Sequence, residues 1–284
     1  MSATAVPAPV GTEERAANRG AAAIEAAFRA AAAAGRAALI PYAVAGYPDA
    51  ETSLSIALAA IDAGADLLEI GLPYSDPLAD GLTLQRASRV ALDHGATLAG
   101  SVALVAAVYA ARPGTPLVAM GYVNQVLGGT DGFGALRRLA DAGASGLIVA
   151  DLTPDEGADL ESAARDLGLA AVYLVTPTTP AERRRMIAAR TSGFLYAVSL
   201  AGVTGARRSL PPGIGAFLAA VRAVSPVPVA VGFGVSRPAH ARRLAKLADG
   251  VIVASALVDA LGPDGRDVER MAALVRALAD GTRR

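Results

Sequence analysis

Glu69, Asp76 and Asp80 fall in one short segment, Glu69-Ile-Gly-Leu-Pro-Tyr-Ser-Asp-Pro-Leu-Ala-Asp80-Gly. Glu69 closes an apolar run, Asp66-Leu-Leu-Glu-Ile, which Gly71 and Pro73 then break. Burying a carboxylate at the end of an apolar strand is costly, so an acid there needs either a partner or a task. The loop that follows brings further carboxylates within reach of the same pocket. Two acids held in different surroundings can act as a proton donor and a fixed anion with no metal or cofactor. Asp76 has a plainer reading as turn chemistry, because Ser-Asp-Pro is a good turn start.

The elements that would position these acids recur along the chain. Apolar, strand-like runs lie at 39–44, 66–70, 116–120, 146–150, 171–175, 194–198, 227–231 and 250–254, eight in all. Amphipathic stretches rich in Ala, Leu and Arg separate them, among them 53–63, 133–142, 156–167, 181–189, 214–224 and 239–247. Helix starts are signalled at Pro48-Asp-Ala-Glu, Thr153-Pro-Asp-Glu and Thr179-Pro-Ala-Glu. The phrases Asp62-Ala-Gly-Ala-Asp and Asp141-Ala-Gly-Ala-Ser repeat where a helix gives way to a strand, with glycine in the capping place. Strands apolar on both faces and alternating with helices imply a parallel sheet wrapped by helices. Eight repeats favour a single α/β domain, a closed (β/α)8 TIM barrel over residues 13–284, with an extra N-terminal helix at about 13–34 capping its bottom. Residues 1–12, rich in Ala and Pro, read as a disordered tail and not as a signal peptide.

In such a barrel, chemistry gathers at the C-terminal ends of the strands. Those ends carry Glu69 with its loop, then Tyr122 and Asn124, then Asp151. Asp151 also reads as support for a helix cap. Tyr196 leads into Ser199-Leu-Ala-Gly-Val-Thr-Gly, and the last two runs end in Gly232-Phe-Gly-Val-Ser and Ala254-Ser255. Glycines after the sixth and seventh runs, with a short helix after the eighth, form the pattern of a phosphate cradle made of backbone N–H groups. The bland alternative is that these glycines serve tight turns, and that Tyr122 and Tyr196 only pack.

Composition narrows the chemistry further. The chain has 284 residues, 53% hydrophobic and 18% charged, with zero formal net charge, no cysteine and no tryptophan. Charge therefore gives no sign of a nucleic-acid partner, and thiolate chemistry is excluded. No apolar run is long enough to span a bilayer, which makes a cytoplasmic protein the expectation. The single lysine, Lys246, falls late in a helical stretch, on the wrong side for a Schiff base. Neither histidine, His94 or His240, stands at a strand end. Both read as surface residues of helices, which leaves no metal-ligand cluster and no base for a serine nucleophile. What remains is a carboxylate pair acting by proton transfer on a phosphate-bearing substrate.

These residues resemble the tryptophan synthase α-subunit family. The resemblance rests on the Glu69-to-Gly81 segment, Met120-Gly-Tyr-Val-Asn, Ala150-Asp-Leu, Ser199-Leu-Ala-Gly-Val-Thr-Gly, Gly232-Phe-Gly-Val-Ser and Val253-Ala-Ser-Ala, in order over about 37–280. It implies a lyase that cleaves indole-3-glycerol phosphate to indole and glyceraldehyde 3-phosphate in tryptophan biosynthesis. It implies Glu69 and Asp80 as catalytic residues. Tyr122, Tyr196, Thr204, Gly205, Phe233, Gly234, Ala254 and Ser255 would bind substrate. Asp76 and Pro77 would face a β subunit in an α2β2 heterotetramer. Pyridoxal phosphate is expected only in that partner, and no cofactor or metal in this chain. The sequence departs from the family pattern at Leu82 and Gln125, where proline is usual, and at Ala254, where glycine is usual. Two other functions fit the same barrel: a stand-alone indole-releasing paralogue of specialised metabolism, and a non-catalytic phosphate-binding activator of a partner.

Overall fold

A computed structural model describes residues 19–127, 132–198, 212–232 and 234–284. Its strands are β1 (Ala38–Val44), β2 (Leu68–Gly71), β3 (Leu117–Gly121), β4 (Gly146–Val149), β5 (Ala170–Val172), β6 (Leu174–Val175), β7 (Leu195–Val198), β8 (Val229–Gly232) and β9 (Gly250–Val253). All pairings are parallel, in the order β5-β4-β3-β2-β1-β9-β8-β7-β6. The two ends of that order are consecutive in the chain, so the ring closes. The fifth expected strand is one barrel stave in two pieces. Its first half pairs with β4 and its second with β7. Tyr173 sits between them, turned outward to donate its hydroxyl to Glu161 Oε1 at 2.6 Å. Nine assigned segments thus make an eightfold (β/α) barrel.

Alternation along each stave divides the core in two. Leu68, Ile70 and Leu72 face the helices, in a cluster with Ile56, Leu104 and Val108. The interior cluster holds Ala38, Ile40, Leu67, Val118, Ile148, Val172, Phe194, Ala230 and Ile252. Glu69, two places beyond Leu67, is therefore an interior residue. The helix Gly20–Ala33 closes the bottom by inserting Ile24 and Phe28 into that interior cluster, with Phe28 tilted on Phe194 at 5.8 Å between ring centroids. The expected start of this helix near residue 13, and the 1–12 tail, lie outside the described residues.

The repeated Ala-Gly-Ala phrases behave alike. Gly64 and Gly143 adopt φ of 111° and 104°, where a side chain would be strained. Two residues on, the N–H groups of Asp66 and Ser145 donate to Leu39 and Leu117 at 2.9 and 2.7 Å and seat the next strand. Asp66 itself precedes β2 instead of beginning it. Its carboxylate takes both Arg36 N–H groups and the Leu39 N–H. Asp49 caps Ala50–Asp62 through the Thr52 N–H at 2.8 Å, as its start signal predicts. The Thr153 signal instead marks a turn, since that helix begins only at Ala158 and Asp155 pairs with Arg183. Lys246 ends helix Pro238–Ala245 just ahead of β9. His240 corrects the surface expectation. It is buried, with Nδ1 3.1 Å from the Gly234 carbonyl, because its helix packs against the loop after β8. His94 is exposed at the end of helix Leu82–Asp93.

Candidate active site

Glu69 is 1% exposed, and neither carboxylate oxygen has a hydrogen-bond partner among the described residues. Loss of water raises its pKa from 4.5 to about 8, and the neighbouring Asp80 raises it further within that total. At neutral pH the free pocket therefore holds Glu69 protonated. Asp80 is 8% exposed, and burial lifts its pKa from 3.8 to about 6. A hydrogen bond from the Tyr122 hydroxyl opposes that rise. One carboxyl is thus a neutral donor and the other an anion, which is the division of labour that acid–base catalysis needs.

The turn that points Asp80 inward is short. The Leu78 N–H donates to the Asp76 carbonyl at 2.9 Å, and the Asp80 N–H to the Pro77 carbonyl at 3.0 Å. The Ala79 N–H donates to the Tyr122 hydroxyl oxygen at 3.0 Å. The Gln85 carboxamide donates to the Asp80 carbonyl at 2.9 Å. Asp76 faces out, taking the Ser75 hydroxyl at 2.6 Å, so only one of the two loop acids joins Glu69. Beside it Leu78 is 89% exposed and Leu82 56%. Pro77 lies between these faces, half-buried.

Tyrosines wall the pocket. Tyr122 and Tyr196 are both buried. Burial first, then the nearby acids, pushes the pKa of both upward. Tyr42 behaves the same way, owing to burial and then to Asp80 and Glu69, and was not singled out from the sequence. It pairs in register with Glu69 across β1 and β2. The available signal was its position on an inward-facing register of the first strand. Attention to residues at or beyond strand ends passes over it. A Cβ on Gly71 would overlap the Tyr42 hydroxyl, and one on Gly232 would come within 2.5 Å of the Tyr196 hydroxyl. Each ring lies across the glycine of the next stave, so these glycines make space. Tyr74 stacks on Tyr122 with centroids 5.0 Å apart.

The opposite rim is described in part. Gly234 has φ of 72°, and nothing stands within 4 Å of where a Cβ would be. Ala254 precedes helix Ser255–Ala260 with a φ of −123°, so alanine is accommodated there without the positive φ that would require glycine. Thr83 donates to Asp259 at 3.4 Å and joins this helix to the one that follows the acid loop. Thr204, Gly205 and Phe233 lie outside the described residues. Asp151 caps the short helix Val123–Leu127 through the Val123 N–H at 2.8 Å; it supports the helix after β3, not the one after its own strand.

A family model described as "Tryptophan synthase alpha chain" matches residues 28–283. A tryptophan synthase alpha chain from Roseiflexus sp. is 48% identical over 249 residues, covering 87% of this chain and 95% of the relative. One from Chloroflexus aurantiacus is 45% identical, covering 89% and 95%. Among solved structures, a chain of Mycobacterium tuberculosis tryptophan synthase superposes with a TM-score of 0.84 at 41% identity, covering 92% of this chain and 98% of that one. Tryptophan synthase subunit alpha from Legionella pneumophila gives 0.82 at 33%, covering 91% and 97%.

Proposed function

The chain belongs to the tryptophan synthase alpha chain family, and on that premise we propose how its residues divide the work: Glu69 carries the proton and Asp80 is the fixed anion. The protein is a lyase. It cleaves indole-3-glycerol phosphate to indole and glyceraldehyde 3-phosphate, the alpha-subunit step of tryptophan biosynthesis.

The observation that carries the assignment is Glu69, buried with both oxygens unbonded and protonated at neutral pH beside an acid that ionises near pH 6. Protonated Glu69 donates to indole C3. The ring becomes a cation, and ionised Asp80 accepts the indole N–H and offsets that charge. Glu69, now a carboxylate, removes the proton of the glycerol hydroxyl next to the scissile bond. The C–C bond then breaks, its electrons return to the ring, and an aldehyde is left. Tyr122 orients Asp80, while Tyr42 and Tyr196 keep water out and the local dielectric low. Among the described residues, the backbone N–H groups of Gly234 and Ser255, with Ala254, are the proposed phosphate holders; Thr204, Gly205 and Phe233, which lie outside the described residues, are given substrate-binding roles by the family resemblance alone.

A β subunit is the partner of this chain, as the family implies. Asp76, Pro77 and the exposed Leu78 form the face that meets it in an α2β2 assembly, and pyridoxal phosphate belongs to that subunit alone. Among the described residues no single helix is long and apolar enough to cross a membrane. A cytoplasmic location is part of the proposal and follows from the family reading. The test is indole release from indole-3-glycerol phosphate, with and without the partner. Glu69→Gln and Asp80→Asn should each abolish it while the fold is retained. Normal turnover in either variant overturns the assignment.

A further inference from the structure

We propose that Gln125 is a positioning residue, a side-chain clasp that locks the end of β3 to the root of the acid loop and so sets where Asp80 stands. Its carboxamide is used at both ends. Oε1 accepts the Tyr122 N–H at 3.1 Å. Nε2 donates to the Pro73 carbonyl at 2.7 Å and, more weakly, to that of Leu72 at 3.4 Å. The structure makes room for this bridge. A Cβ on Gly121 would fall 3.0 Å from Gln125 Oε1 and 2.9 Å from Leu72 Cδ1. A second, parallel tie lies outside it, where Asn124 donates to the Tyr74 hydroxyl at 3.0 Å and Tyr74 stacks on Tyr122. The far side is fixed by Asp151, which holds the Val123 N–H from the end of β4.

The consequence falls on Tyr122. Its ring is anchored at the backbone by Gln125 and at the hydroxyl by the Ala79 N–H and the Asp80 carboxylate. Strand and loop are thereby closed into one ring of contacts: Tyr122 backbone, Gln125, Pro73, the acid loop, Asp80, and back through the Tyr122 hydroxyl. Opening it at Gln125 leaves the loop held by contacts nearer its surface, and a small misplacement of a catalytic group costs disproportionately in rate. The ionisable groups around Asp80 in the barrel mouth are Glu69, Tyr42, Tyr122 and Tyr196, with Asp151 beside Tyr122. Of these, only the Tyr122 hydroxyl stabilises the Asp80 anion by a hydrogen bond.

The inference rests on the acid-pair reading, and its test separates the two. In Gln125→Met, kcat for indole release should fall roughly ten-fold with KM changed less, and the acidic limb of the pH profile should move upward. In a Tyr122→Phe background the same substitution should move that limb no further. Gln125→Asn keeps a carboxamide but is too short to span both partners. It should behave like Gln125→Met, and it serves if the methionine variant does not fold. Wild-type kcat and pH profile in the variant that folds overturn the clasp. So does an equal displacement of the limb in the wild-type and Tyr122→Phe backgrounds, which marks general loosening. Glu69→Gln and Asp80→Asn are run alongside. Normal turnover in either removes the acid pair and the clasp with it; loss in both, with normal behaviour at Gln125, removes the clasp alone.

Discussion

Replacing Glu69 by glutamine should make the ligand-free protein more stable at alkaline pH, and the size of the gain follows from the pocket. Glu69 titrates at 4.5 when solvated and at about 8 in the fold. Between these values the folded state holds a proton that the unfolded chain has lost, so stability falls as pH rises. Below pH 4.5 both states are protonated and the buried acid carries no charge penalty. Above about 8 both are ionised and the penalty is complete. Each pH unit in the window is worth about 1.4 kcal/mol, which gives a total on the order of 5 kcal/mol. That is a large fraction of the usual stability of a single domain. Glutamine has the same shape and no charge, so it removes the slope.

The assay is urea unfolding of wild type and Glu69→Gln at intervals from pH 5 to pH 9. The difference between the two stabilities should grow in favour of the glutamine variant up to about pH 8 and level off above it. In an Asp80→Asn background the growth should be smaller but still present, because burial is the larger cause of the Glu69 shift and Asp80 the lesser. Activity should run the other way: the stabilised variant should lose at least a hundred-fold in indole release, since general acid–base catalysis contributes about that much or more. Stability curves that stay parallel across the range would refute the reasoning, because they would mean that Glu69 is solvated or paired in the folded protein.

The cleavage rate should follow a bell between Asp80 ionising near pH 6 and Glu69 losing its proton near pH 8. Tyr122→Phe should shift the acidic limb upward by removing the bond that favours the Asp80 anion, and should cost about 1 kcal/mol in denaturant unfolding as the Ala79 N–H loses its acceptor. Gly71→Ala and Gly232→Ala should displace Tyr42 and Tyr196 respectively, lowering stability by about 1–3 kcal/mol and the rate of indole release with it. Leu78→Asp should weaken binding of the β partner, measured by titration calorimetry, while intrinsic cleavage by the isolated chain stays within about two-fold, because the side chain is exposed and the turn that aims Asp80 is held by backbone hydrogen bonds that the substitution leaves in place.

What could be read from the chain is what local chemistry dictates. The alternating runs, the Asp49 cap and the left-handed glycines 64 and 143 each follow from neighbours in sequence, and the structure has them where they were expected. Glu69 differs: it stands second in β2, which runs on through Gly71, because that glycine still pairs with Val44 and Met120. The misses are long-range. Gln125 acts on Pro73, a partner 52 residues away, and its type alone gives no hint of that. Tyr42 owes its place in the mouth to its register with Glu69 across two strands, not to any motif. His240 sits in a helical stretch that looks exposed until the helix is seen packed on the Gly234 loop. The broken fifth stave turns on Tyr173, whose hydroxyl is drawn outward to Glu161.

The same distinction explains why two chemically similar acids hold their protons differently. Glu69 is fixed by the barrel. Alternation along β2 drives it inward, and the stave on either side offers Tyr42 and Val118 in register and no cation. Nothing short of moving a strand can solvate it, so its proton is retained. Asp80 is fixed by a loop. Its burial depends on a turn, on the Tyr122 hydroxyl and on the ties at Gln125 and Asn124, and the other side of that loop exposes Leu78 two residues away. A contact that moves the loop therefore acts on Asp80 and leaves Glu69 in place. On the proposed reading, the proton donor is built into the barrel wall and the anion sits on a loop with an exposed outer face, the part of a protein that moves more readily.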